Sequence, residues 1–336
     1  MTKVRLLTFA LICCLAGVVC LRAQEPADPD DVVRVDVDVT NVLFTASDKD
    51  NRFVTTLRQE DVRLIEDGIP QTISTFQRET DRPLSIALLI DVSASEERTL
   101  PQEKAAARAF IETVIQSSKD QAAVIPFTGS AFLEQGLTRD VFSIYRALER
   151  VEVAMPQYLG AGKPISGIAS KPGMLRPPRE GSTAIWEAIA LASSEVLARS
   201  PHQRRRAIIL LTDGFDTSSR LLRSEAINRA LEAEIIIYAI GIGDSKYEGV
   251  DKKGLNVVAE ATGGRAFFPK KETDLKAAFT AIDQELRSQY LLAYSPTNKK
   301  RDGAFRRMQI EVTNPQLQKE KLRLRYRPGY YANPPK

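Results

Sequence analysis

The stretch Leu84-Ser85-Ile86-Ala87-Leu88-Leu89-Ile90-Asp91-Val92-Ser93-Ala94-Ser95 decides how the rest of the chain is read. Its apolar part, Leu84 to Ile90, has the length of a strand and no regular alternation of apolar with polar residues. A strand of that kind is buried on both faces, as in a parallel sheet covered by helices. Open α/β sheets bind ligands at the carboxyl ends of their strands, and Asp91, Ser93 and Ser95 fall there. Three oxygen side chains at alternate positions of a tight loop can converge on one point. Carboxylate and hydroxyl oxygens together suit a hard cation such as Mg2+.

Two later stretches extend the pattern. Gly181-Ser182-Thr183 opens a helix expected from about Ala184 to Leu197, and a second apolar strand, Ala207 to Leu211, ends in Thr212-Asp213-Gly214. An isolated Asp-x-Ser-x-Ser is also an ordinary helix cap and turn; its register with Thr183 and Asp213 makes it specific. In that order the three pieces resemble the von Willebrand factor type A domain. The resemblance implies a metal-ion-dependent adhesion site, with Ser93 and Ser95 as direct ligands. Thr183 would bind directly or through water, and Asp91 and Asp213 mostly through water. One position would stay open for an Asp or Glu carboxylate of a protein or polymer partner. A hydroxyl-rich ligand set leaves the cation electron-poor and raises its attraction for that carboxylate. Mg2+ is the expected ion, with Mn2+ or Ca2+ as alternatives.

The flanks are β-rich. Val33, Val35, Val37 and Val39 alternate with polar residues, as a half-buried strand does. Asp67-Gly68 sits between Val62–Glu66 and Ile69–Phe76 as the turn of a hairpin. Past residue 288 the period of two returns in Met308, Ile310 and Val312 and in Leu322, Leu324 and Tyr326. Between the flanks, strands and helices alternate, the signature of a doubly wound, mostly parallel Rossmann-like sheet. The expected architecture is α/β, with residues 82–287 inserted into a smaller β-sandwich-like domain built from 24–81 and 288–336. Leu64 to Gly68, Thr75-Phe76, Gln289 to Pro296 and Arg327 to Tyr331 also resemble a bacterial family of exported proteins with a von Willebrand type A-related domain. That second resemblance brings no biochemical role.

Residues 1–23 read as a secretory signal: Lys3 and Arg5, an apolar run from Leu6 to Leu21, and Ala23 as the last residue removed. The run is shorter than the ~20 residues a spanning helix needs, so no membrane span is expected after removal. The expected location is periplasmic or secreted. Cys13, Cys14 and Cys20 all lie in this segment, which leaves a mature chain without disulfide or thiol chemistry. The segment also holds three of the 47 basic residues and none of the 43 acidic ones, so 44 face 43 and no nucleic-acid partner is implied.

Other chemistry finds little support. The lone histidine, His202, reads as a loop residue, which makes a His-based triad or zinc site hard to build. Gly241-Ile242-Gly243 lacks the third glycine of a dinucleotide fingerprint, and no Walker-type loop follows the first strand. No enzyme activity is expected; the alternatives to adhesion are a structural envelope protein with a stabilising ion, then a metal-dependent hydrolase. Arg204-Arg205-Arg206 reads as a solvated strand entrance rather than an anion site. Lys321, Arg323, Arg325 and Arg327 read as a charged outer face guarding an edge strand, and Asp216 as a cap for the next helix or loop. Residues 154–181, rich in Gly and Pro with several cations, are expected to border the metal site.

Overall fold

Strands β5 (Leu84–Asp91), β6 (Gln121–Phe127), β8 (Gln135–Thr138), β10 (Arg205–Thr212), β11 (Ile235–Gly241) and β12 (Ala266–Phe267) form one sheet in the order β12-β11-β10-β5-β6-β8. Neighbours run parallel except β6 and β8. This computed structural model describes residues 39–79, 82–153, 163–164, 182–201, 203–243 and 249–332, all within one compact unit, Asp38–Lys336. The signal segment, Val33 to Val37, His202 and most of 154–181 lie outside the described residues. Within that last segment Lys163–Pro164 (β9) pairs antiparallel with Phe132–Leu133 (β7).

All eight residues of β5 and of β10 are buried, as expected of strands covered on both sides. Leu84, Ile86, Leu88 and Ile90 point to one face, with α1 (Leu100–Val114), α2 (Val141–Arg150) and α6 (Glu272–Arg287). Ala87 and Leu89 point to the other, with α3 (Ile185–Leu191, continued as a π-helical turn to Leu197), α4 (Arg223–Glu232) and α5 (Lys252–Ala261). Each fully buried Leu or Ile stabilises the fold by about 1.5–3 kcal/mol relative to an exposed one. From β5 the chain steps to β6 on one side and later returns to β10 on the other. The β5–β10 boundary is therefore the switch point, where the two connections leave a crevice at the carboxyl ends of the strands.

Two antiparallel sheets draw strands from both ends of the chain. One has the order β15-β1-β13-β4, from Arg323–Tyr326, Thr40–Ser47, Tyr290–Tyr294 and Ile73–Arg78. The other has the order β16-β14-β2-β3, from Gly329–Tyr331, Phe305–Val312, Val62–Glu66 and Ile69–Gln71. Their shared core includes Val42, Phe44, Leu64, Tyr290, Leu292 and Ile310. The rings of Phe44 and Tyr290 stack at 5.1 Å, and Tyr294 and Tyr330 both donate to Glu66 Oε2, the latter at 3.0 Å. The Asp67-Gly68 turn has φ of 48° and 83°, the positive pair that a two-residue hairpin of this hand requires.

Two readings change, and one strand was not expected. Strand β1 begins at Thr40, downstream of the valine alternation, and Val39 is 52% exposed. Arg204, Arg205 and Arg206 are buried rather than solvated, because their guanidinium groups bond carbonyls brought together by the fold. Strand β15 does lie at a sheet edge, yet Arg325 and Arg327 reach inward, to the carbonyls of Gly264 and Leu231.

Candidate metal centre

The loop after β5 is shaped by Asp91. Its Oδ1 accepts the Ser93 amide at 3.0 Å, and its Oδ2 accepts the Thr212 hydroxyl at 2.6 Å, which ties β5 to the end of β10. A 3-10 turn over Ala94–Glu96 then brings the Ser93 and Ser95 hydroxyls to 3.0 Å from each other. Asp213 follows β10, and its Oδ1 accepts the Phe215 amide at 3.0 Å. The next residue turns at φ +88°, and a Cβ there would sit 2.9 Å from Leu255 Cγ, so glycine is required at Gly214.

Thr183 is fixed through its backbone. Its amide donates to Thr217 Oγ1 at 2.8 Å, its carbonyl accepts the amides of Thr217 and Ser218, and the Ala184 amide donates to Thr128 O. The residue is thereby sewn to the ends of both β6 and β10. Asp216 is a cap, but of α3: its Oδ1 accepts the Ile185 amide at 2.8 Å. Of the five expected site residues, the structure links Asp91, Ser93 and Ser95 in one loop. It sets Asp213 across the switch point from them, and ties Thr183, just before α3, by hydrogen bonds to Thr217 and Ser218 of the loop that follows Asp213.

Two carboxyls were not read as part of the site. Asp91, Glu96 and Asp213 each offer an oxygen within 4.8 Å of the others. Glu96, 1% exposed, accepts the Asp213 amide at 3.0 Å and the Thr99 hydroxyl. Glu103 lies on α1, wholly buried, and neither of its oxygens finds a hydrogen-bond donor. Its signal was its position four residues before Ala107 on the buried stripe of that helix. Glu96 has no such signal, because it follows the loop serines like any solvated turn residue.

The electrostatics follow from burial. Desolvation is the largest cause raising the Asp91 carboxyl to about 6; its hydrogen bonds from Thr212 and Ser93 oppose this, while the charge of Asp213 adds to it. Glu96 and Glu103 are also pushed up, first by burial and then by neighbouring acids. The charges acting on these three carboxyls are those of other acids in the same group. Buried charges of one sign are costly unless an opposite charge accompanies them. A divalent cation bound by hydroxyl and carboxylate oxygens would supply that charge, and these donors are hard. The residues present therefore fit a metal ion.

The von Willebrand factor type A domain family matches residues 85–281. Among curated protein sequences none matches the chain. One similar solved structure is proximal thread matrix protein 1 of the mussel byssus with a zinc-occupied metal-ion-dependent adhesion motif. It is 18% identical with a TM-score of 0.50, over 66% of this chain and 50% of that one. This chain thus spans about half the length of the mussel protein. A von Willebrand factor type A protein from Catenulispora acidiphila is 15% identical with a TM-score of 0.48, over 84% of this chain and 71% of that one. BatB from Bacteroides thetaiotaomicron is 20% identical with a TM-score of 0.45, over 60% of this chain and 98% of that one. The family match spans more than half of the residues, and the chain belongs to the von Willebrand factor type A domain family.

Proposed function

We propose that this protein is a metal-dependent binding module that captures an acidic group of a protein or polymer partner. Asp91, Ser93, Ser95, Thr183 and Asp213 would hold a divalent cation, with Mg2+ as the preferred ion. When bound, the ion supplies a Lewis-acidic position for the partner's carboxylate. The protein's own part is to fix the oxygens. Asp91 orients the Ser93 loop through its amide, Thr212 locks Asp91 to β10, and the Thr217 and Ser218 contacts set Thr183. The observation that carries this reading is the meeting of two hydroxyls and three buried carboxylates at the switch point of the sheet.

We place the binding domain at residues 82–287 and read the chain as exported after loss of residues 1–23. Among the described residues no helix is long and apolar enough to cross a membrane. A stabilising ion is the second reading, and Glu103 favours it, since a wholly buried carboxyl without a donor gains from any nearby cation. Calorimetric titration of Mg2+ and Mn2+ into the metal-free protein, beside Asp213→Ala, tests both. The proposal expects one saturable site, absent from the variant, and metal-dependent binding of a short Asp-containing peptide. No heat from either ion in the parent protein would overturn it. Metal binding that raises stability but leaves the peptide unbound would favour the second reading.

A further inference from the structure

Hydrogen bonds cross the switch point at the carboxyl end of the sheet. Thr212 Oγ1 donates to Asp91 Oδ2 at 2.6 Å, and the Asp213 amide donates to Glu96 Oε1 at 3.0 Å. The first ends on a residue expected among those that hold the ion. The second ends on a residue outside that set, and it joins the main chain of Asp213 to the turn that carries Ser93 and Ser95. Glu96 belongs to that turn, since its own amide donates to Ser93 O at 3.0 Å. On its other side Asp213 is held through its carbonyl, which accepts the Asp251 amide at 2.9 Å.

The Glu96 side chain is almost wholly buried and has a donor for each oxygen, the Asp213 amide on Oε1 and the Thr99 hydroxyl on Oε2. Hydrogen bonds to a carboxylate are about twice as strong as neutral ones, so this brace is stiff. Glu103, on α1, lies beside Glu96 and Thr99. Neither has a proton to give it: an ionised carboxylate only accepts, and the single hydroxyl proton of Thr99 goes to Glu96. Both Glu103 oxygens accordingly stand without a donor. An oxygen of Glu96 is also within 4.8 Å of oxygens of Asp91 and Asp213, so its role is either to ligate the ion or to place Asp213. The amide bond to Oε1 favours placement.

We propose that Glu96 is a positioning residue of the metal centre: it holds Asp213 in register with Ser93 and Ser95 and does not itself ligate the ion. This rests on the metal-binding reading above and adds a residue to it. An ion such as Mg2+ demands a near-octahedral shell, so Asp213 serves it only from a fixed position. Removing a partner of this kind typically costs about 10–100-fold in metal affinity.

Calorimetric titration of Mg2+ and Mn2+ into the full chain tests this with Glu96→Gln, Glu96→Leu and Thr99→Val. Glu96→Gln keeps an oxygen for the Asp213 amide and offers Glu103 the N–H donors it lacks. It should bind the ion within about threefold of the parent, whereas Glu96→Leu, which removes the acceptor, should lose about 10–100-fold. Thr99→Val, which frees Glu96 Oε2, should fall between the two. Thermal unfolding in chelator reports whether each variant is folded. A loss in Glu96→Gln as large as in Glu96→Leu would make Glu96 a ligand and overturn the proposal. Parent-like affinity in Glu96→Leu would overturn it too, and would leave the metal-binding reading standing. If Glu96→Leu does not fold, a 10–100-fold loss in Glu96→Gln, or none in Thr99→Val, overturns it instead. No heat in the parent protein would remove the metal-binding reading, and this one with it.

Discussion

Without metal, the protein should lose stability as pH rises from about 4 to about 7, the reverse of the usual acid limb. The perturbation is chelation followed by a pH series. Asp91 titrates at about 6 in the folded chain against a reference of 3.8. Below the lower value both states are protonated and the burial of this carboxyl costs nothing. Above the higher value the folded state must hold a buried carboxylate that the unfolded chain leaves in water. A group raised in the folded state stabilises fully below its unfolded pKa and loses that contribution as pH passes its folded one. A difference of about two units at ~1.4 kcal/mol each gives a loss of about 3 kcal/mol from Asp91. Glu96 and Glu103 push in the same direction. Urea unfolding of the chelated protein and of Asp91→Asn, read as the difference between them at each pH, isolates the effect. Saturating Mg2+ should flatten the dependence in the parent protein. Parallel pH profiles for parent and Asp91→Asn in chelator would refute the reasoning.

Glu103→Gln should raise the stability of the metal-free protein by about 1–3 kcal/mol, because it removes a buried acid that lacks a donor; chemical unfolding reads this, and calorimetry should show weaker metal binding. Gly214→Ala should cost about 2 kcal/mol, from the positive φ and the contact with Leu255, and should lower metal affinity by moving Asp213. Thermal unfolding with and without Mg2+ measures both effects. Tyr294→Phe should destabilise the protein by about 1–3 kcal/mol, since Glu66 then keeps only Tyr330 of its two tyrosine donors. A midpoint unchanged in urea would rule that out.

Where a residue's environment is set by its own neighbours in sequence, the chain could be read directly. Strands β5 and β10 declare burial on two faces by apolar residues at consecutive positions, and Asp67-Gly68 declares its turn by residue type. The metal loop was legible because Asp91, Ser93 and Ser95 share one turn, and Thr183 and Asp213 recur after defined elements. Strand β1 was missed because Thr40-Asn41-Val42-Leu43 lacks the regular period of the valines before it. Glu96 and Glu103 were missed for a different reason. Nothing in Glu96-Glu97 says which of two adjacent acids turns inward, and it is Asp213, 117 residues later, whose amide donates to Glu96. The arginines of β10 follow the same logic. Charge at a strand entrance reads as solvated until the carbonyls of Leu84, Arg82 and Ala233 are gathered around it by tertiary folding.

The path by which the chain enters and leaves the α/β sheet has a mechanical consequence. Strand β4 leads into β5 and β13 follows α6, and β4 and β13 are hydrogen-bonded neighbours, with Arg78 opposite Tyr290. Strand β1 in turn lies between β13 and β15, and β2 pairs with β14. Tension applied between Thr40 and Tyr331 would therefore run through these antiparallel ladders first. The metal-binding sheet hangs from a closed neck outside that load path. It would feel no stretch until the ladder between β4 and β13 had parted, so a ligand held at Asp91 and Asp213 would keep its geometry while the flanks bear the force.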